Sequence, residues 1–170
     1  QISDRKATQL VPQLVEFLEN SKAATDHRLL ALWSLHDLKA IPVQTLQSCI
    51  AAPEYSLRRA AIDLAGEQIK DSANLVKLLA NTASDPDPRV RLVAIHALGQ
   101  SSQFDSQLAR LLLSFLRPEN LAIYHSNPSG AAASALQKAD EALEFSSIRA
   151  ILERHPAAVV AWLDAQAATS

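Results

Sequence analysis

Apolar residues recur along the chain at spacings of three and four residues, which is the pattern of helices that bury one face. The strict alternation of apolar and polar residues that marks a half-buried strand is not sustained anywhere. Residues that interrupt helices are scarce, with 3 glycines and 8 prolines among 170 residues. The pattern therefore predicts an all-α fold.

One part of the pattern occurs three times. The copies begin at Arg28, Arg58 and Arg91, and a weaker fourth copy covers residues 130–136. Each of the first three copies is followed by a second apolar stretch with helical spacing, at about residues 43–51, 73–83 and 106–116. Helix pairs that repeat in this way cannot bury their apolar faces alone, so we expect them to stack on one another.

The repeats predict a single domain, residues 1–170, that is a segment of a longer protein. Its predicted parts are a leading helix at 6–20, repeats at 26–52, 53–84 and 85–117, and a divergent last repeat at 129–165. We interpret the leading helix as the second half of a repeat whose first half is missing or degenerate. The chain begins with Gln1 and contains no methionine, which we interpret as the sign of a processed chain or of a segment.

A small residue follows each repeated arginine by three positions, and these residues are Ala31, Ala61 and Ala94. An alanine at one place in every repeat lets adjacent helices approach closely, while large aliphatic residues beside it fill the space between layers. We therefore predict that the three arginines and the three alanines are structural positions of the repeat.

Helix ends are indicated by aspartate, proline and glycine. The run Asp85-Pro86-Asp87-Pro88 offers an aspartate N-cap followed by a proline in the first turn, where the missing N–H costs nothing. Gly66 and Gly99 stand near the ends of the second and third copies, and we predict a left-handed C-cap at each.

The third copy resembles HEAT repeats, in particular the short bacterial kind that also occurs in lyase-like HEAT proteins. The resemblance is carried by Asp85-Pro86-Asp87-Pro88-Arg89-Val90-Arg91 together with Ala94, Leu98 and Gly99, and it extends over about residues 26–117. It implies a right-handed α-solenoid of about four HEAT-like helix pairs. It does not imply one function, because a fold of this kind serves many.

A narrower resemblance rests on residues 28–35, Arg-Leu-Leu-Ala-Leu-Trp-Ser-Leu. This run is similar to the first HEAT repeat of large secreted proteins of planctomycetes, verrucomicrobia and their relatives, which join a dehydrogenase-like β-propeller, a HEAT segment and a c-type cytochrome domain. The propeller and the haem motif C-x-x-C-H are both absent here. The resemblance implies a spacer with a periplasmic or extracellular location; without it, the location would be cytoplasmic.

Charge and composition exclude several classes of function. The net charge is -2, with 16 basic and 18 acidic residues, so no concentrated positive surface for nucleic acid is indicated. No apolar run approaches the roughly 20 residues that a membrane helix needs. The single cysteine, Cys49, rules out an internal disulfide.

Motifs for catalysis or for a bound group are also missing. No two of the five histidines are spaced four residues apart, as a helical zinc site would need. No nucleophile–base–acid arrangement, phosphate-binding loop or zinc-protease motif is present. We therefore predict no catalytic residues, no metal and no cofactor in this segment.

The repeated arginines admit two interpretations. In register, Arg28, Arg58 and Arg91 could form a ladder that binds anions. Alternatively, each could pair with an acidic group or a carbonyl of its own or the next repeat, as half-buried arginines must. We favour the second, because a charge at a repeat position usually serves the repeat.

One helix face changes character along the chain. Leu29 and Trp33 stand in the first copy where the second has Arg59 and Asp63, and positions four apart share a face. A large aromatic residue on a face that is charged one repeat later marks an interface. The alternative is that the helix before residue 20 folds over Trp33, and the sequence does not decide between the two.

Residues 117–128 interrupt the repeat and contain two prolines. Tyr124, His125 and Asn127 are hydrogen-bonding residues on what we predict to be a longer loop, and they are candidate interface residues. An irregular joint before the last repeat is the simpler interpretation, and we favour it.

These observations predict a non-catalytic scaffold that binds a protein or a neighbouring domain of the same chain, without nucleic acid or membrane. The first alternative is a spacer in a secreted haem-containing dehydrogenase-like protein, which would support catalysis without hosting it. The second is a lyase-like HEAT enzyme acting on a bound pigment, which is disfavoured because no catalytic constellation is present.

Overall fold

A computed structural model describes residues 9–69, 73–102, 104–115 and 131–168. Within these ranges the chain forms nine α-helices and one short 3₁₀ helix, and no strand. The helices are α1 (Val11–Glu19), α2 (Thr25–Asp37), α3 (Val43–Ile50), α4 (Tyr55–Gln68), α5 (Ala73–Ala80), α6 (Pro88–Leu98), α7 (Ser106–Phe115), α8 (Ala131–Arg154) and α9 (Pro156–Ala167), with the 3₁₀ helix at Asn81–Ser84. The predicted all-α fold of HEAT-like helix pairs is confirmed.

The chain divides into two compact units, Gln1–Ala65 and Gly66–Ser170. The boundary falls inside α4. The predicted single domain and its repeat boundaries stay a prediction, while the helices themselves lie close to the predicted stretches.

The first unit is built around α2. Helix α1 packs against α2 and also contacts α3. Leucines from each of these helices are fully enclosed, namely Leu18, Leu32, Leu35 and Leu46. Each such side chain contributes about 1.5–3 kcal/mol when it leaves water, so the leading helix is held by apolar burial.

In the second unit, α6 has the most enclosed position. It packs against α8, while α7 packs against α9, so the last helix pair lies against the pair before it. Val90, Ala94, Ile95 and Leu98 of α6 are completely or almost completely buried. Their spacing of three and four residues places them on one broad face of α6, while Arg89 and His96 on the opposite side are exposed.

The predicted start of α6 is confirmed. Asp87 is the N-cap, its carboxylate accepts the backbone N–H of Arg89 at 2.9 Å, and Pro88 stands in the first turn. Burial alone would raise the pKa of Asp87, but hydrogen bonds from the side chain and backbone of Arg89 outweigh it and lower that pKa.

The left-handed C-caps predicted at Gly66 and Gly99 are wrong. Gly66 lies inside α4, and Gly99 has φ -67°, in the right-handed region. Both glycines instead mark close approaches between helices. A β-carbon at Gly66 would lie 3.0 Å from the β-carbon of Ala97, and one at Gly99 would lie 2.6 Å from Cδ1 of Ile151. At both positions glycine is needed because a neighbouring helix lies too close for a side chain, and not because the backbone has a positive φ.

Candidate functional site

The first repeated arginine is tied into the first unit. Arg28 is 5% exposed, its Nε donates to the carbonyl oxygen of Leu18 at 2.8 Å, and its Nη1 donates to Oε1 of Glu54 at 2.9 Å. The guanidinium thereby joins the end of α1 to the residue just before α4. Such charge-assisted bonds are stronger than neutral ones and fix the position of both chain segments.

The third repeated arginine is tied into the second unit in the same manner. Arg91 is fully buried, and its Nη2 donates to Oε1 of Glu144 at 3.0 Å while Nε faces Oε2 at 3.5 Å. Its Nη1 also donates to the carbonyl oxygen of Asp85. Burial lowers the pKa of Arg91 from its ordinary value, and the carboxylate of Glu144 acts against that shift.

The second repeated arginine is less enclosed. Arg58 is half-buried, and its Nη1 donates to the carbonyl oxygens of Ala52 at 3.0 Å and Pro53 at 2.7 Å. All three arginines therefore donate to a backbone carbonyl that precedes their own helix in the chain. This geometry favours a structural role for them over an anion-binding ladder.

The three repeated alanines are enclosed. Ala31 is nearly buried, and Ala61 and Ala94 are fully buried. Each lies one turn after its arginine, on the side of the helix that is covered by protein. Their placement is what a small residue at a close helix contact requires.

The surface around Trp33 is apolar and open to solvent. Trp33 is 41% exposed and Leu30 is 66% exposed, while Leu29 is half-buried. The Trp33 ring meets the ring of His36 edge-on, with 5.9 Å between centroids. Helix α1 packs against α2, and Trp33 keeps 41% of its surface exposed beside it. We name Leu29, Leu30 and Trp33 the α2 patch.

Sequence reasoning missed Leu30, although a signal was present. The equivalent residues of the next two copies are Ala60 and Val93, which are smaller. A bulky side chain stands only in the first copy, where it is exposed. Comparison of residue size at this position of the three copies would have added Leu30 to the interface candidates.

The equivalent faces of the other copies are polar or partly covered. In the second copy, Arg59 and Asp63 are both exposed. In the third, His96 is exposed and its Nε2 lies 3.1 Å from Oγ of Ser147. A polar pairing therefore occupies the position that Trp33 holds in the first copy.

A second apolar surface lies in the last helix pair, and sequence reasoning missed it. A groove of about 430 Å³ is lined by Leu113 of α7 and by apolar residues of α8 and α9, chiefly Phe145, Ile148, Leu152, Val159 and Val160. We name it the C-terminal groove. The signal was the composition of α9, in which Asp164 is the only charged residue. A helix that is apolar on all sides is typical of a buried element, yet Val160 and Leu163 are more than half exposed.

The remaining candidates fall outside these surfaces. Tyr124, His125 and Asn127 lie outside the described residues. Cys49 is buried, and burial raises the pKa of its thiol to about 11. Over the described ranges, no cluster of three or more histidine, cysteine or acidic residues is placed to hold a metal ion. None of the helices in the same ranges is long and apolar enough to cross a membrane.

Comparison with known proteins agrees with the repeat pattern. The family model described as HEAT repeats matches residues 43–123, which is just under half of the chain. No curated protein and no solved structure matches the chain. The resemblance to secreted dehydrogenase-like proteins thus gains no support from these comparisons. Over residues 43–123 the chain is similar to HEAT repeats, and this match supports a HEAT-repeat protein.

Proposed function

We propose that this chain is a non-catalytic interaction module of HEAT repeats, and that the α2 patch binds a protein or a neighbouring domain of the same chain. The observation that carries the proposal is the exposure of Trp33 beside Leu30 and Leu29 on one helix. Arrays of helical repeats commonly act as extended binding surfaces, which fits the match to HEAT repeats.

The chemistry of the patch suits a protein partner. Trp33 offers a large apolar area with one N–H donor, and its only ring contact among the described residues is with a histidine of its own helix. Tryptophan is enriched among residues whose truncation weakens complexes most, where the cost is often about 2 kcal/mol or more. Neighbouring leucines would exclude water around it, as the rim of such a site does.

The exposure of Trp33 is tested first. In a Trp162→Phe background, iodide should quench the fluorescence of Trp33 in the isolated chain, because the side chain is open to solvent. A Trp33 that is fully shielded in a monomeric chain would belong to the core, and the proposal would fall.

Binding is tested by photo-cross-linking in the cell that makes the protein. A photoreactive phenylalanine derivative at position 33 should cross-link to one dominant protein or domain, and the same group at Asp63 should not, because Asp63 is exposed on the equivalent face of the next copy. Trp33→Ala should then raise the dissociation constant for that protein by about 30-fold. Val43→Ala, at a similarly exposed apolar residue, is the matched control. Equal cross-linking at both positions would contradict the proposal.

A further inference from the structure

The C-terminal groove presents an apolar surface with a charged rim of both signs. Arg149 and Glu153 stand on its edge one turn apart on α8, with Nε and Oε1 at 2.7 Å. Both side chains are largely exposed, at 70% and 61%. Phe145 lies one turn before Arg149 on the same face and is 55% exposed. The groove floor holds no comparable charge.

This arrangement is complementary to itself. Residue 151 marks the level along α8 midway between Arg149 and Glu153, so two α8 helices that pack antiparallel through their exposed faces at this level bring each arginine opposite the glutamate of the other copy. A two-fold interface requires this kind of patch, because each surface must fit an identical one. A surface shaped for a partner of one sign of charge would not carry a balanced pair on its rim.

The same crossing also fills the groove. Phe145 precedes the midpoint by six residues, which is about 9 Å along a helix. The same distance past the midpoint reaches the turn into α9, where Pro156 and Val160 line the groove. An incoming phenylalanine would therefore meet apolar side chains at that end, and it would cover the exposed side of α9.

We propose that the C-terminal groove is the interface of a two-fold homodimer. In it, Phe145 of each copy packs beside Pro156 and Val160 of the other, and each Arg149 pairs with Glu153 of the other copy. The proposal is independent of the α2 patch, which lies on a different helix in the first unit.

Sedimentation analysis over a range of concentrations tests the proposal. The wild-type chain should form dimers, and Phe145→Ala should raise the dissociation constant by about 30-fold or more, as loss of a buried aromatic anchor does. Leu143→Ala is the matched control, because Leu143 is equally exposed on α8 and does not line the groove. A wild-type chain that stays monomeric at every concentration would overturn the proposal.

Charge reversal locates the interface. Arg149→Glu places two negative groups opposite each other at both contacts between residues 149 and 153, and Glu153→Arg places two positive groups there. Each variant alone should be monomeric, whereas an equal mixture should form heterodimers, because every contact then joins opposite charges. The double variant should dimerise again. Dimers that persist in either single variant, or that are lost with Trp33→Ala, would show that another surface joins the copies.

Discussion

Arg28 and Arg91 occupy the same position of two repeats, yet their ion pairs differ in how far they are withdrawn from water. The side chain of Glu54, which pairs with Arg28, is 26% exposed. The side chain of Glu144, which pairs with Arg91, is 1% exposed. The first pair links residues 26 positions apart in the chain, and the second links residues 53 positions apart. The repeat therefore fixes the place of the arginine, while the surroundings decide what the pair contributes.

The difference has an energetic consequence. In the Arg91 pair both charges have lost their water, so each is stable only while the other is present. In the Arg28 pair the guanidinium is also nearly buried, but the Glu54 side chain keeps 26% exposure, so its removal opens the site to solvent while Arg28 retains its bond to the Leu18 carbonyl. One pair is a requirement of the fold, and the other is a modest addition to it.

The strongest test is to break the buried pair. Glu144→Ala should lower the free energy of unfolding by about 3–5 kcal/mol, because it leaves the Arg91 guanidinium buried without its carboxylate. Urea denaturation followed by circular dichroism measures the loss. The double replacement Arg91→Met with Glu144→Leu should recover most of the stability, since no unpaired charge remains. A Glu144→Ala variant as stable as the wild type would mean that the pair is not desolvated.

A second test addresses the small residue next to each arginine. Ala94→Leu should cost about 1–3 kcal/mol, because the methyl group of Ala94 is fully enclosed and a larger side chain would displace its neighbours. Ala31→Leu places the same change one turn after Arg28, where the enclosure is almost as complete. We expect losses of similar size by urea denaturation. A neutral Ala94→Leu would show that the repeated alanine is not a close contact.

The sequence predicted the features that depend on local pattern. Helical periodicity predicts the helix pairs. An arginine at a fixed place in each repeat predicts that an acidic or carbonyl group of the same chain binds each arginine. Glu144 could not be identified as that partner, because it lies 53 residues away and beyond an interrupted segment. The glycines misled the prediction because a glycine near a helix end suits a C-cap and a close helix contact equally well.

The two exposed surfaces differ in how well the sequence indicated them. Trp33 was found because a charged residue stands at its place in the next copy, so the contrast itself was the signal. The C-terminal groove offered no such contrast, since α8 and α9 are diverged and no second copy shows what a polar version would contain. Only the fold brings Phe145 and Val160 to one groove.

The less buried pair, Arg28 with Glu54, gives a smaller effect. Glu54→Ala should cost about 1 kcal/mol, because Arg28 keeps its bond to the Leu18 carbonyl and water replaces the lost carboxylate. Added salt should reduce this difference between variant and wild type, since a screened pair weakens with ionic strength. The same urea titration used for Glu144→Ala makes the comparison direct. A loss as large as that of Glu144→Ala would remove the distinction between the two pairs.

The smallest expected effect is a change in the pKa of Cys49, which lines the same cavity as Arg28. Burial raises its pKa from 9.0 to about 11, while Arg28 lowers it and Glu54 raises it. The neutral thiol is favoured in the folded chain, so this contribution to stability is complete below pH 9.0 and is lost as the pH rises toward about 11.

Titration of the thiolate by its ultraviolet absorbance should therefore show a higher pKa in the folded chain than in urea. Removing the charge of Arg28 and removing the charge of Glu54 should shift this pKa in opposite directions. Arg28→Gln should raise it, because a nearby cation favours the thiolate, and Glu54→Gln should lower it, because a nearby anion disfavours the thiolate. The pKa of Cys49 in the two variants thus measures the electrostatic effect of Arg28 and Glu54 in the folded chain, without any unfolding experiment. If both variants shift the pKa of Cys49 in the same direction, repacking of the cavity and not the loss of charge is the cause. The contrast with the fully buried Arg91 pair would then depend only on the unfolding measurements.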